Sequence, residues 1–144
     1  MKRAVSILTA AVICLCAVLY LPVKVSAEEG ITPYYVNFFD GDVTLKVSSS
    51  GYANVTAKVF TNSKTTGGTI YTYIQQKYGS SWETINNGQP NNKWADTFGA
   101  SDKTINHYMY LPTKGTYRAV AVFYVTGTGG IADSIVEYSN TCTY

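Results

Sequence analysis

The chain has 144 residues, of which 46% are hydrophobic and 14% charged, with 11 lysine and arginine residues and 9 acidic ones. Lys2, Arg3 and Lys24 precede residue 28, so 11 − 3 = 8 basic residues face 9 acidic ones beyond it, a net charge of −1. No run of lysine or arginine occurs there, which excludes the dense positive charge that nucleic-acid binding rewards.

The N-terminal segment has the order of a secretory signal peptide. Lys2 and Arg3 precede an almost wholly apolar stretch at residues 4–21, and a Val-Ser-Ala sequence comes directly before position 28. We predict a signal peptide at residues 1–27 and a single domain at residues 28–144 that is secreted, and is extracellular or associated with the cell wall. An uncleaved membrane anchor is the alternative, because about 20 apolar residues span a bilayer.

The cysteines divide in the same way. Cys14 and Cys16 lie in the apolar stretch, which leaves Cys142 alone beyond residue 27. The predicted domain therefore has no internal disulfide and no cysteine-based metal site. Cys142 is a candidate for an intermolecular disulfide. The alternative is an unpaired thiol on a frayed tail or a terminal strand.

Apolar residues beyond position 40 recur with period 2, the repeat of a strand with one buried face. The first two predicted strands, approximately 43–47 and 53–59, form a hairpin. The other predicted strands are approximately 69–77, 82–85, 104–111, 117–125 and 132–138. An Asn-rich segment at 86–92 is predicted to be a surface loop. About seven short strands separated by turn signals are typical of an all-β sandwich.

One turn makes this prediction more specific. Tyr117 follows Leu111 by six residues, across a turn that contains Pro112 and Gly115. The arrangement resembles the tyrosine corner of immunoglobulin-like and fibronectin type III domains, where the tyrosine hydroxyl ties down the turn between two sheets. Leu111, Gly115 and Tyr117 are therefore expected to be structural residues. Trp82, which follows a tight turn, is expected to fill the core.

Short motifs add a family resemblance. The hairpin at 48–53, the segments Tyr73–Lys77 and Gly79–Trp82, and the segment Lys114–Arg118 resemble small secreted proteins of Gram-positive bacteria. These proteins consist of a signal peptide and one immunoglobulin-like domain, and the resemblance covers most of residues 31–126. The resemblance implies a bacterial, secreted, immunoglobulin-like β-sandwich, and it implies no particular activity.

Residues with catalytic chemistry are scarce. The single histidine of the chain, His107, lies within a predicted strand on the same face as Ile105 and Met109, as a packed or edge residue does. No pair of carboxylates suits glycoside hydrolysis. The Asp40-Gly41-Asp42 sequence is typical of a turn, with a calcium site as the alternative. We therefore predict a protein that is not an enzyme and has no cofactor and no metal.

Aromatic residues are the surplus of this chain, with 12 tyrosines beyond residue 27. If Ile70 and Ile74 point inward, Tyr71 and Tyr73 point outward. The same parity on the strand 117–125 turns four side chains outward, namely Arg118, Val120, Val122 and Tyr124. The sequence thus predicts an exposed patch on one sheet, unless a loop at 86–101 folds over it.

An exposed apolar patch on a secreted protein is typical of a contact surface. The binding candidates are Tyr71, Tyr73, Tyr124 and Trp94, which lies beside the Asn-rich loop. We predict a binding module that recognises an extracellular protein or polysaccharide through this face. One alternative is a self-associating structural component of the envelope or matrix, which would be a homo-oligomer. Another is a carbohydrate-binding module that uses Trp94 and the tyrosines.

Overall fold

The computed structural model describes residues 35–144, so the predicted signal peptide lies outside the described residues. The described part is built of antiparallel β-strands, joined by turns and by one 3-10 turn at Pro90–Asn92. The strands are β1 (Phe38–Val47), β2 (Tyr52–Thr61), β3 (Thr65–Tyr78), β4 (Ser81–Thr84), β5 (Trp94–Phe98), β6 (Lys103–Tyr110), β7 (Thr116–Gly127), β8 (Asp133–Tyr138) and β9 (Cys142–Thr143). The all-β prediction is confirmed. None of the described residues forms a helix long and apolar enough to cross a membrane.

The strands form two sheets. The first has the order β1-β2-β6 and the second has the order β4-β3-β7-β8, with β5 paired to β3 and β9 paired to β7. Every pairing between strands is antiparallel. Residues of both sheets belong to one hydrophobic core, so the inner face of each sheet is buried.

Alternation along the strands builds that core. On β2, buried residues alternate with more exposed ones from Ala53 to Val59. The first sheet contributes Val43, Leu45, Ala53, Val55, Ala57, Val59 and Ile105, and the second contributes Ile70, Ile74, Tyr117, Ala119, Ala121, Phe123 and Val125. At about 25 cal/mol for each Å² of apolar surface removed from water, burial on both inner faces is the main stabilising contribution.

Strand β1 begins earlier than the sequence pattern predicts. The Asp40-Gly41-Asp42 sequence, interpreted as a turn, lies inside β1 and pairs with β2 up to Phe60. Gly41 is buried there, and a Cβ atom at this position would lie 2.8 Å from the ring of Phe123. The glycine thus gives the Phe123 ring room against β1, which explains why a residue typical of turns stands within a strand.

Two strands were missed by the sequence pattern. The sequence predicts a loop where β5 lies, because Asp96 occupies an inward position between Trp94 and Phe98 and hides the alternation of apolar residues. Strand β9 has only two residues, too few for any periodicity. Together they extend the second sheet beside β3 and β7.

A buried tyrosine connects the turn before β7 to the core. Tyr117 has no exposed surface, and its hydroxyl group donates a hydrogen bond of 2.7 Å to the carbonyl oxygen of Thr113. Leu111 is also buried. Gly115 lies close to Gln76 of β3, whose Nε2 atom would be 2.7 Å from a Cβ atom at position 115. These contacts fix the turn between β6 and β7 and thereby the register with which β7 enters the second sheet.

Candidate functional site: the outer face of the second sheet

The outer side of β3 and β7 carries aromatic and cationic side chains. Because Ile70, Thr72 and Ile74 are buried on the inner side, the alternating residues of β3 point away from the core. We call the resulting surface the aromatic face, and its members are Tyr71, Tyr73, Arg118, Val122, Tyr124 and Tyr138, bordered by Trp82 and Lys93.

Tyr71 and Tyr124 are neighbours across the paired strands. Their ring centroids are 5.9 Å apart and their planes stand at 84°, an edge-to-face arrangement that favours both rings. Tyr124 keeps 46% of its surface exposed, whereas Tyr71 is half-buried. The pair therefore combines a fixed geometry with surface that is open to a ligand.

A groove of about 550 Å³ lies against this pair, lined by Thr69, Tyr71, Asn91, Lys93, Val122 and Tyr124. A second depression, of about 260 Å³, shares Tyr71, Asn91 and Lys93 with it and adds Gln89, Pro90 and Ala95. Asn91 and Asn92 have left-handed backbone angles, with φ of 55° and 57°, a conformation that asparagine tolerates better than most residues. The Asn-rich loop thus turns tightly beside the face and forms a wall of the groove without covering Tyr124.

Three cations lie over aromatic rings at this face, and the most distant is Lys77, whose Nζ atom is 6.0 Å from the ring centre of Trp82. The Nζ atom of Lys93 is 5.1 Å from the ring centre of Tyr73. The guanidinium carbon of Arg118 is 4.3 Å from the ring of Trp82 and 4.4 Å from that of Tyr138. The two rings therefore hold the guanidinium group in place through cation–π contacts.

The same neighbours affect the ionisation of Tyr73. Burial raises the pKa of its hydroxyl group above the ordinary value of 10.0, and the charge that Tyr138 can carry raises it further. The positive charge of Arg118 lowers the pKa and partly opposes these effects. Tyr73 is consequently a neutral hydrogen-bond donor and acceptor at physiological pH.

The predicted exposure of the outward row on β7 is wrong at one position. Val120 points outward, as predicted, but it has no exposed surface. Its cross-strand partners are Tyr73 on one side and Tyr138 on the other. These large side chains shield the valine, so the outward-facing row on β7 is not exposed along its whole length.

Trp82 does not fill the core, which corrects the prediction made for it. The loop between β3 and β4 has only two residues, and Lys77 pairs with Trp82. A two-residue loop fixes the register of its hairpin, so Trp82 takes the outward face that Lys77 occupies. There its ring contacts Arg118, where the sequence pattern predicted a role inside the domain.

Trp94 also lies elsewhere than predicted. It is not on an exposed loop but in β5, opposite the buried Thr72, and it is half-buried against the core. Its ring is parallel to the imidazole ring of His107, with centroids 4.8 Å apart. Trp94 is therefore directed toward the other sheet and away from the aromatic face, with which it was grouped as a binding candidate.

His107 connects the two sheets. Its Nε2 atom is 2.7 Å from the Oδ2 atom of Asp96, so a residue of β6 in the first sheet is bonded to a residue of β5 in the second. Among residues 35–144, no hydroxyl or thiol group forms a hydrogen bond with the His107 ring. The contact is a bridge at the edge of the core, where the Trp94 ring covers the imidazole.

Cys142 is half-buried in β9, where it pairs with Tyr117. Its Sγ atom is 3.1 Å from the carbonyl oxygen of Leu45 and belongs to the groups packed against the core. Of the two alternatives to an intermolecular disulfide, a frayed tail and a terminal strand, the structure has the strand. A disulfide between two molecules would require the thiol to turn away from Leu45.

Alternation along the sequence does not identify a second aromatic cluster, which lies on the first sheet. Tyr52, Tyr108 and Tyr110 lie on the outer side of the first sheet, with exposed fractions of 40%, 53% and 69%. The rings of Tyr52 and Tyr108 are stacked at 5.8 Å, and Tyr110 lies 5.0 Å from Tyr52. The signal was present, because Tyr108 and Tyr110 flank Met109, which the same alternation directs inward.

Within the described residues, no group of three or more histidine, cysteine or acidic side chains is placed to hold a metal ion. No protein-family model, no curated protein and no solved structure matches this chain. The aromatic face combines rings, amides and positive charge, which are the kinds of groups that line ligand sites.

Proposed function

We propose that this chain is a secreted, non-enzymatic binding module that holds an extracellular ligand on the aromatic face. The observation that carries the proposal is the groove of about 550 Å³ between the Asn-rich loop and the pair Tyr71 and Tyr124. Ligand sites combine apolar and aromatic walls with a few convergent polar groups. Here the polar groups are Asn91 and Lys93, which stand on the wall of the groove.

The proposed architecture is an immunoglobulin-like β-sandwich. Its support is the strand order, since β1-β2-β6 opposite β3-β7-β8 corresponds to the division of such domains into two sheets, with β4 added at an edge. The hydrogen bond from Tyr117 to Thr113 adds the tyrosine-corner contact. Membership in a family of small secreted proteins of Gram-positive bacteria remains part of the proposal, on the motifs given above.

Removal of the groove tyrosines tests the binding role. The double variant Tyr71→Ser, Tyr124→Ser is compared with Tyr108→Ser, Tyr110→Ser, which removes two exposed tyrosines from the opposite sheet. Retention is measured on insoluble cell walls and on a panel of immobilised polysaccharides and extracellular proteins. We expect the first double variant to lose retention while keeping the wild-type circular dichroism spectrum. Equal retention of both double variants would refute the assignment of the ligand to this groove.

Self-association is the second candidate, because a second aromatic cluster lies on the opposite sheet. Tyr52, Tyr108 and Tyr110 expose their rings there, and contact between unlike faces of two copies would build an open array. This candidate predicts a mass by light scattering that rises with protein concentration and falls in the Tyr108→Ser, Tyr110→Ser variant. A concentration-independent monomer mass would exclude it. A mass that falls only when a reductant is added would indicate that a disulfide through Cys142 links the copies.

A further inference from the structure

The aromatic face carries positive charge that no carboxylate balances. Lys77, Lys93 and Arg118 are its charged side chains, whereas the outward positions of β3, β4, β5, β7 and β8 include no acidic residue. The single contact within 4.0 Å between a basic and an acidic side chain among residues 35–144 is that of His107 with Asp96, on the inner side. This local excess is present although the net charge of the domain is slightly negative.

Arg118 is the most organised of these cations. Its guanidinium group is held between the rings of Trp82 and Tyr138, and its Nε atom donates a hydrogen bond of 2.9 Å to Oε1 of Gln75. Its two terminal amino groups make no hydrogen bond to any described residue. A guanidinium fork that is fixed and still has free donors matches the planar geometry of a carboxylate, which it binds through two parallel hydrogen bonds.

The face is long enough for several units of a polymer. Arg118 and Tyr124 are six residues apart on β7, which corresponds to roughly 20 Å at about 3.3 Å per residue. Lys93, on the ring of Tyr73, lies at the groove between these ends. A single small ligand would occupy only the groove, whereas an extended chain could contact the groove tyrosines and Arg118 together.

We propose that the ligand is an acidic polysaccharide, whose pyranose rings pack on Tyr71 and Tyr124 while a carboxylate of the same chain is bound by Arg118. Three features of the face select this ligand: flat rings suit the apolar faces of sugars, the guanidinium fork suits a carboxylate, and the uncompensated charge suits a polyanion. The inference rests on the proposed function, and it names the class of ligand for the same face.

The test compares two polymers with the same sugar rings, one with charged carboxylates and one with neutral methyl esters in their place. The full chain is expressed, and the purified protein is titrated with polygalacturonate and with fully methyl-esterified polygalacturonate, which keeps the rings but not the carboxylates. We expect tighter binding to the charged polymer by about tenfold or more, and a loss of this preference as sodium chloride is added. Equal affinity for the two polymers would overturn the proposal.

Arg118 variants test the carboxylate subsite. Arg118→Met should remove most of the preference for the charged polymer, and Arg118→Lys should restore part of it, because lysine keeps the charge without the fork. The control Lys58→Gln removes one positive charge from the outer side of the first sheet, and it should bind like the wild type. If Arg118→Met binds polygalacturonate as well as the wild type does, the subsite is refuted. If this variant does not fold, the comparison of the two polymers on the wild-type protein decides.

Failure of this inference can be distinguished from failure of the proposed function. A protein that binds a neutral polysaccharide or a protein through Tyr71 and Tyr124, with no preference for the charged polymer, keeps its binding role and overturns the acidic polysaccharide. Tighter binding to poly(glycerol phosphate), which has charge but no pyranose rings, would also overturn it. Loss of binding to polygalacturonate in both Arg118→Met and Tyr71→Ser, Tyr124→Ser supports both proposals.

Discussion

The hydroxyl group of Tyr117 offers a direct measurement of how strongly the turn before β7 is held. The side chain has no exposed surface, and the hydroxyl donates a hydrogen bond of 2.7 Å to the carbonyl oxygen of Thr113. It is also 3.2 Å from the Oγ1 atom of Thr113, which accepts a hydrogen bond of 3.1 Å from Nε2 of Gln76. Tyr117→Phe keeps the ring in the core and removes only these bonds.

The expected cost is about 1 kcal/mol. A hydrogen bond within a protein contributes about 0.5–1.5 kcal/mol net, and a buried group that loses its partner without replacement costs about 1–3 kcal/mol. Thr113 lies in an exposed turn, so water can reach its carbonyl oxygen after the substitution, and the smaller range applies. For a domain of this size, a loss of about 1 kcal/mol lowers the melting temperature by about 4 °C.

Urea unfolding, followed by circular dichroism, measures the difference in free energy directly. The midpoint should fall while the slope m stays unchanged, because the area exposed on unfolding is the same. Tyr110→Phe is the matched control, since Tyr110 is 69% exposed and its hydroxyl bonds to no described residue. If Tyr117→Phe and Tyr110→Phe unfold at the same midpoint, the hydrogen bond does not stabilise the turn and the reasoning is refuted.

Three further substitutions test other parts of the fold by thermal and urea unfolding. The hydroxyl of Thr72 is buried without a hydrogen-bond partner, so Thr72→Val should stabilise the protein by about 1 kcal/mol; a loss of stability would show that the hydroxyl has a partner. Gly115→Ala should destabilise it by about 1–3 kcal/mol, because the methyl group would lie 2.7 Å from the Gln76 side chain; an unchanged midpoint would show that this side chain moves aside at no cost. Burial, and then the charges of Asp40 and Asp42, raise the pKa of Glu137 above its ordinary value of 4.5, so the folded state binds this proton more tightly than the unfolded state does. The contribution of Glu137 to stability therefore rises as the pH falls from neutral toward 4.5. Glu137→Gln should raise the melting temperature at pH 7 and weaken this pH dependence, and an identical pH profile would contradict the assignment.

The sequence predicts best where burial alone decides the position of a side chain. Alternation on β3 and β7 identifies the inward residues, and Ile70, Ile74 and Phe123 are buried as the period of 2 requires. The same parity brings Tyr71 and Tyr124 to one outer face, because strands β3 and β7 are neighbours in the sheet. All-β structure and the core of both sheets could therefore be derived before any coordinates.

Sequence-based prediction fails where a polar or aromatic side chain takes an unusual position because a partner distant in sequence contacts it. Asp96 faces inward because His107 of the other sheet bonds to it, and an acidic residue at an inward position conceals strand β5 from any hydrophobic pattern. The sequence therefore predicts an exposed loop at Trp94, where the structure has strand β5. The sequence predicts Trp82 in the core because a tryptophan after a tight turn is usually buried. In the structure its ring points outward and makes a cation–π contact with Arg118. Both errors come from partners that are distant in sequence.

The local charge of the aromatic face is another property that the sequence alone does not predict. The net charge beyond residue 27 is −1, and from that number alone a polyanion is a poor ligand. The structure separates the charges: Asp40 and Asp42 lie close enough to Glu137 to raise its pKa, while Arg118 is on the outer side of the second sheet. Coulomb attraction to a bound chain depends on the charges within about 10 Å, the screening length at 0.1 M salt. If the aromatic face binds the proposed polymer, the local excess at Arg118 and Lys93 governs the attraction, and the net charge of the whole chain does not.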